Sequence, residues 1–360
     1  MQRAGGLWSK LISFNNLFRA YRKARLGKGR TSAIAHFALE LEPELLSLQR
    51  ELGRGDYRPG DYRLFTIYER KPRRIAAAPF RDRVVHHAIM NVIEPPIDRA
   101  FIHDSYACRG GKGVHAAVDR YQYWACRYSY VLKLDIARYF PSIDHEILKR
   151  KLRRYIKDHR VLRLLDLIID GSPDEPGMLT YFAGDDLLTP LARRVGIPIG
   201  NLTSQFFANL FLNDLDHFVK QQLGCRAYLR YVDDMVVLGN DKRRLWTIRG
   251  RVEEHLAHAR LRLHPNKVHV TRTIHGVDLL GYRVFPDFRR LRDDNGHRFA
   301  RKLRKFASGY AKGRILWEDI DPVVQSWIGH AAHADTSGLR ARIFSQTIFR
   351  RGTGREAPGA

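Results

Sequence analysis

The apolar side chains of residues 7–52 recur at helical spacing, with Phe14, Leu17, Phe18 and Tyr21 followed by Ile34, Phe37, Leu41, Leu45 and Leu48. The basic turn Leu26-Gly-Lys-Gly-Arg30 divides them, so two helices are expected. Tyr62–Tyr68 and Arg74–Pro79 then read as a strand pair bent at Glu69-Arg-Lys-Pro-Arg73. Val84, Val85, Ala88, Ile89, Val92 and Ile93 form a helical stripe that Pro95-Pro96 should stop. Its His86 and His87 diverge around the helix and cannot easily share an ion, so they read as surface or template-facing. Tyr130–Phe140 reads as an apolar strand with Asp135 in its middle.

Pro141 ends that strand, and Ser142 or Asp144 can cap a helix over Glu146–Ile156. Val161–Ile169 is helical, whereas residues 171–177 and 184–186 have turn chemistry, which leaves Asp185-Asp186 exposed rather than catalytic. A helix from Ser204 to Leu223 turns Phe206, Phe207, Leu210, Phe211, Leu215 and Phe218 inward. Ala227–Val232 and Met235–Leu238 are strands meeting at Asp233-Asp234. An amphipathic helix over Arg243–Arg260 and a short strand pair over Leu261–Thr273 follow. Next comes a hairpin over Gly276–Phe285, in which Gly281 permits close backbone approach. Residues 297–350 are basic helices carrying Trp317 and Trp327, and 351–360 have the composition of a disordered tail.

Charge changes this picture. Sixty-three Lys and Arg face 38 Asp and Glu, a formal +25 over 360 residues, and a polyanion is the simplest partner. A membrane surface is the rival, but no apolar run reaches about 18 residues and the start lacks a signal-peptide core, so no membrane is expected. Cys108, Cys126 and Cys225 are odd in number and not at metal-ligand spacing, which fits free buried thiols in a reducing cytoplasm.

Two adjacent carboxylates inside an apolar run are costly unless a turn exposes them or a cation neutralises them. Asp233-Asp234 can therefore be an ordinary turn or, with Asp135 on a second strand, part of a two-metal site. The Arg and Lys at the 69–73 bend suit a triphosphate or form a solvated basic turn. The glycines of Asp104-Ser-Tyr-Ala-Cys-Arg-Gly-Gly-Lys-Gly-Val-His115, with Arg109 and Lys112, read as a phosphate-binding loop, though without the Gly-Lys-Ser/Thr ending of a nucleotide hydrolase.

Tyr231-Val-Asp-Asp234 resembles the signature hairpin of reverse transcriptases, and Leu134-Asp-Ile-Ala-Arg-Tyr-Phe140 resembles the preceding palm strand. Gly196–Asn209 is similar to the segment of that family that contacts template and nucleotide, and the likeness spans roughly residues 60–340. Ile199-Gly-Asn-Leu-Thr-Ser-Gln205 departs from the Gln-Gly-x-x-x-Ser-Pro pattern of most members and resembles the enzymes of diversity-generating retroelements. The resemblance implies an α+β right-hand polymerase fold: a basic helical extension over 1–55, fingers over 56–130, and an antiparallel palm over 131–275 with an insertion near 157–195. A primer-grip hairpin over 276–296 and a helical thumb over 297–350 would follow. It further implies two Mg2+ ions, replaceable by Mn2+, on Asp135, Asp233, Asp234 and the Ile136 carbonyl, with Lys267 as a proton donor to pyrophosphate. Lys71, Arg73, Arg74, Phe140, Ile199, Gly200 and Gln205 would bind the dNTP, Phe140 excluding a 2′-hydroxyl unless it is an ordinary core ring. Arg109, Lys112, Tyr231, Gly281 and Tyr282 would touch nucleic acid. Implied partners are a template RNA, a cDNA or primer strand, dNTPs and a small basic oligomeric accessory protein. The activity implied is error-prone copying at template adenines for mutagenic retrohoming; the alternatives are a group II intron-like, retron-type or defence reverse transcriptase, or a basic RNA-binding scaffold.

Overall fold

The computed structural model describes residues 3–27, 31–68, 72–173 and 180–351. Among the described residues, helices and three sheets make it an α+β protein. Two units can be separated: Met1–Gly113, Leu132–Val237 and Arg243–His269 in the first, Val114–Val131, Leu238–Lys242 and Val270–Ala360 in the second.

The apolar stripe at 84–97 explains the first unit. Val84, Val85, Ala88, Ile89, Ile93 and Ile97 are wholly buried on the Phe80–Asp98 helix, which packs on Leu17, Ala20, Tyr21 and Ala24 of the Phe14–Arg25 helix. Asn16 joins the two, its Nδ2 donating to the carbonyls of Leu11 and Ala88 at 2.9 and 3.0 Å. Tyr21, Phe37 and Phe80 close the contact as an aromatic cluster with centroids 5.2–6.2 Å apart.

Several expectations need correction here. The N-terminal region holds four helices rather than two, Trp8–Ile12, Phe14–Arg25, Ser32–Leu39 and Leu41–Arg54. Ser13 leaves the helical region and caps Asn16, and Glu40 breaks the later pair. Pro95 and Pro96 do not stop the Phe80–Asp98 helix; they fall in its last turn, where only two backbone bonds are forfeited and Ile97 still buries its side chain. The 204–223 segment is broken at Leu212 into Leu202–Phe211, Asn213–His217 and a π-helical turn Phe218–Gln222.

The predicted first hairpin forms from β1 (Arg63–Tyr68) and β2 (Pro72–Ala77); its bend, Glu69 to Lys71, lies outside the described residues. The next sheet has β3 (Tyr130–Leu134), β4 (Tyr228–Tyr231), β5 (Asp234–Gly239) and β6 (His269–Arg272) in the order β4-β5-β3-β6. β3 ends before Asp135, not at Phe140, because Arg138 adopts a left-handed φ of 47° and starts the short helix Tyr139–Ser142. Asp144, not Ser142, caps the His145–Tyr155 helix, accepting from the Ile147 amide at 2.9 Å. The Leu261–Thr273 strand pair reduces to β6, an isolated Ile136–Leu263 bridge and a 3-10 turn at Thr273–His275. Asp185 is not exposed: Arg193 pairs with it at 2.5 Å and, with the Phe182 amide, holds its carboxyl below the usual range. Cys225 is buried as expected, but Cys108 and Cys126 are exposed. In the second unit β7 (Val277–Leu279), β8 (Tyr282–Val284) and β9 (Arg289–Leu291) form a meander, and helices Asp293–Ala311, Trp317–Ala331 and Ser337–Ser345 follow. Phe299 stacks on Trp327 at 3.9 Å within them, and Trp317 is exposed. Residues 352–360, the expected tail, lie outside the described residues. Among the described residues no helix is long and apolar enough to cross a membrane.

His86 also departs from expectation, being buried in the helix interface rather than template-facing. Burial, then the charges of His87 and Arg83, lowers its pKa to about 4. The unfolded imidazole, near 6.5, takes up a proton first as the pH falls, so this contribution is full above that value and lost between 6.5 and 4. The expected loss is on the order of 3 kcal/mol, read as the fall in urea midpoint between pH 7 and pH 4. His86→Leu should remove that part of the fall, and an unchanged profile would refute it.

Candidate active site

Asp135 stands just past the end of β3 and is 8% exposed. Its backbone is fixed by the antiparallel approach of residues 262–264: the Asp135 carbonyl accepts from the His264 amide at 2.8 Å, and the Ala137 amide donates to Arg262 at 2.9 Å. A turn after His264 returns Lys267 to the carboxylate, where its Nζ lies 2.8 Å from both oxygens. Lys133, two residues before Asp135 and so on the same face as that carboxylate, pairs with Asp234 at 3.4 Å.

The β4–β5 hairpin carries the acidic pair. Tyr231 is paired with Asp234, leaving Val232 and Asp233 as a two-residue turn. Val232 takes a φ of 56°, a backbone region that a β-branched side chain disfavours and a two-residue hairpin normally gives to glycine. Asp233 is raised to about 6 by burial first, then by the charges of Asp234 and Asp135. Asp234 and Asp135 are therefore close enough to oppose the ionisation of Asp233. Carboxylate oxygens are hard donors of the kind a divalent cation takes, and here two ammonium groups answer them. Among the described residues no three Asp, Glu, His or Cys side chains already stand in a ligating arrangement.

Behind the turn lies a polar network that sequence reasoning missed. Arg230 is 0% exposed; its Nε and Nη2 grip Asp216, also 0% exposed, at 2.8 and 2.7 Å. Its Nη1 donates to Asn209 Oδ1 at 3.2 Å and to the Val232 carbonyl at 2.9 Å. The Tyr228 hydroxyl donates to Asp216 at 2.7 Å. The available signal was a single arginine in the apolar run Tyr228-Leu-Arg-Tyr-Val232, and likewise Lys133 in Val131-Leu-Lys-Leu134.

The segment before the Leu202–Phe211 helix is strapped to β2. The Ile199 carbonyl accepts from the Ala76 amide at 3.2 Å, and Asn201 Nδ2 donates to the Ala76 carbonyl at 3.1 Å. Gly200, with φ 115°, lies so near β2 that a Cβ would meet Ile75 Cγ2 at 3.0 Å. Ile199 and Phe140 are half-buried, and Gln205 is exposed with its Oε1 accepting from Cys108 Sγ at 3.3 Å. Arg73 and Arg74 are both exposed on β2, on opposite faces, and Lys71 lies outside the described residues. Tyr231 is half-buried.

Two expected nucleic-acid contacts are overturned by their surroundings. Arg109 Nε pairs with Asp98 at 2.5 Å and its Nη1 donates to the carbonyls of Ile102 and Ser105, so its donors serve the loop itself. Tyr282 is 0% exposed, its hydroxyl bonded to His330, and carries no open edge. Lys112 donates to the His103 carbonyl, tying the glycine-rich loop to itself. Gly281 has φ 95° in the β7–β8 turn.

Several known proteins are similar to this chain. YkfC of Escherichia coli strain K12 is 27% identical over 301 residues, covering 72% of this chain and 74% of its own. Nuclear intron maturase 1, mitochondrial, of Arabidopsis thaliana is 27% identical over 87 residues, covering 24% of this chain. The COX1/OXI3 intron 1 protein of Saccharomyces cerevisiae is 23% identical over 182 residues, covering 50%. The chain spans only 12% and 20% of those two intron proteins. An apo telomerase from Candida tropicalis superposes over 64% of this chain and 55% of its own, with a TM-score of 0.48 and 11% identity. The model of the family described as reverse transcriptase (RNA-dependent DNA polymerase) matches residues 67–284, a span holding Asp135, the Gly196–Asn201 strap, the Asp233-Asp234 turn and Lys267, and the chain belongs to that family.

Proposed function

We propose that this RNA-directed DNA polymerase works as the reverse transcriptase of a diversity-generating retroelement, copying a template RNA with errors concentrated at adenines for mutagenic retrohoming. The observation that carries this reading is Ile199. Its carbonyl accepts from the Ala76 amide of β2, and at this position, where most of the family carries an amide, the side chain is aliphatic. An aliphatic group packs but cannot hydrogen-bond, which loosens the constraint on pairing geometry.

Asp135, Asp233 and Asp234 are the catalytic carboxylates and would hold two Mg2+ ions, for which Mn2+ can substitute, with the Ile136 carbonyl as a further ligand. The ions, when bound, lower the pKa of the primer 3′-hydroxyl and neutralise charge on the phosphates. Lys267, whose Nζ pairs with Asp135 at 2.8 Å, would give a proton to departing pyrophosphate. Phe140 excludes a 2′-hydroxyl, one of Arg73 and Arg74 grips the triphosphate, and Gly200 and Gln205 border the nucleotide. Lys112, Tyr231 and Gly281 border template and primer. The fingers, palm and thumb divisions expected from the sequence serve these contacts, with a small basic accessory protein as partner and the cytoplasm as the place of action.

The test is to copy one structured RNA with purified enzyme and sequence the cDNA. Errors are expected chiefly at template adenines, and Ile199→Gln should lower them about fivefold, the value of one hydrogen bond near 1 kcal/mol. Equal error at all four bases would overturn the retroelement reading. It would favour a group II intron-like enzyme, the reading supported by likeness to two intron proteins.

A further inference from the structure

We propose that Arg230 is a positioning residue for polymerisation, its guanidinium holding the strained Val232 turn so that Asp233 and Asp234 are presented in one fixed arrangement. The inference rests on the assignment of those two aspartates as catalytic. The turn has an awkward requirement: Val232 sits at φ 56°, where its branched side chain is disfavoured, and its peptide must stay there for the next two carboxylates to keep their directions. Left alone, such a backbone relaxes. The group opposing relaxation is Arg230 Nη1, 2.9 Å from the Val232 carbonyl.

Arg230 can do this because it is itself immobile. Asp216 takes two of its donors, and Asn209 accepts from it through both its side-chain and backbone oxygens, at 3.2 and 3.1 Å. Its backbone is fixed too, the Arg230 amide donating to Asp104 and its carbonyl accepting from the Tyr106 amide, each at 3.0 Å. Asp216 and Asn209 lie on the helices that follow the Gly196–Asn201 strap, so the guanidinium ties the acidic turn to that segment. A planar fork with five donors can serve these partners at once; an ammonium on a flexible stem cannot. A charge buried only for stability would need Asp216 alone, and the bond to Val232 lies outside that need.

Two variants separate the roles. Arg230→Met with Asp216→Leu removes the buried pair together, a change that cores commonly tolerate. Arg230→Lys keeps the charge opposite Asp216 but loses the fork. Both are expected to fold with near-native circular dichroism. In hydrogen exchange without metal, the amides of Asp233 and Asp234 should exchange at least about tenfold faster in the double variant, since an opened turn exposes them. In primer extension kcat should fall about 30-fold with KM for dNTP within about twofold, the pattern of a group acting only in the transition state. Arg230→Lys should show the same signs at smaller size, and adding Val232→Gly, which removes the strain, should restore part of the protection. Unchanged exchange and kcat would overturn the proposal, as would equal loss in kcat and thermal stability with the turn still protected, or failure of both variants to fold. An Asp233→Asn control keeps the underlying reading separate: if that variant polymerises normally, the assignment of the aspartates falls; if it is inactive while the arginine variants are normal, only the positioning role does.

Discussion

Asp233→Asn is expected to reduce primer extension by about 10³-fold or more, because on the proposed assignment it removes an anionic metal ligand whose interactions are worth several kcal/mol in the transition state. RNA binding, carried by basic side chains on phosphates, should stay within about twofold in a filter or gel assay. The same variant should make the metal-free protein more stable, by roughly 1 kcal/mol, since a neutral isostere ends the cost of desolvating a charge in that half-buried turn and the opposition of Asp234 and Asp135. Activity lost and stability gained together identify a charge kept for function. A variant that copies RNA normally, or loses RNA binding in parallel with synthesis, would show that the carboxylate does something else.

The largest effect on stability is expected at Asp216. Its replacement by alanine strands the Arg230 guanidinium, which has no exposed surface through which to recover hydration. Breaking one side of a buried pair costs about 3–5 kcal/mol, enough to leave much of a marginally stable protein unfolded at 37 °C. Replacing both members with apolar residues should cost far less, so comparing the urea midpoints of Asp216→Ala and Arg230→Met/Asp216→Leu isolates the stranded charge. Equal midpoints would mean that water reaches the arginine.

The two signals that were strongest in the sequence, the runs of β-branched, aromatic and aliphatic residues on either side of Asp233-Asp234 and helical spacing at 84–93, located the acidic hairpin and the central helix. What escaped was set by tertiary contact. Pro95 and Pro96 punctuate by local rule, but burial of Ile97 outweighs two lost backbone bonds. His86 and Arg109 are polar letters whose fate depends on what lies across from them, Phe80–Asp98 helix packing for one and Asp98 for the other. Arg230 is the clearest case. One basic residue among 63 is no signal, yet its partners Asp216 and Asn209 lie in a segment that the pattern could assign only as an apolar helix. The strand limit at Leu134 was missed because nothing in Asp-Ile-Ala announces that Arg138 will turn left-handed.

The interlock of Asn16, Tyr21 and Phe37 with the 80–98 helix carries one last consequence. Judged by its positive charge, the N-terminal stretch looks like a detachable RNA-holding appendage, but its greasy side chains complete the wall on which that helix rests. Trimming the polypeptide back to the first hairpin would peel away one side of that interior, and the remainder would be sticky and short-lived rather than a minimal polymerase.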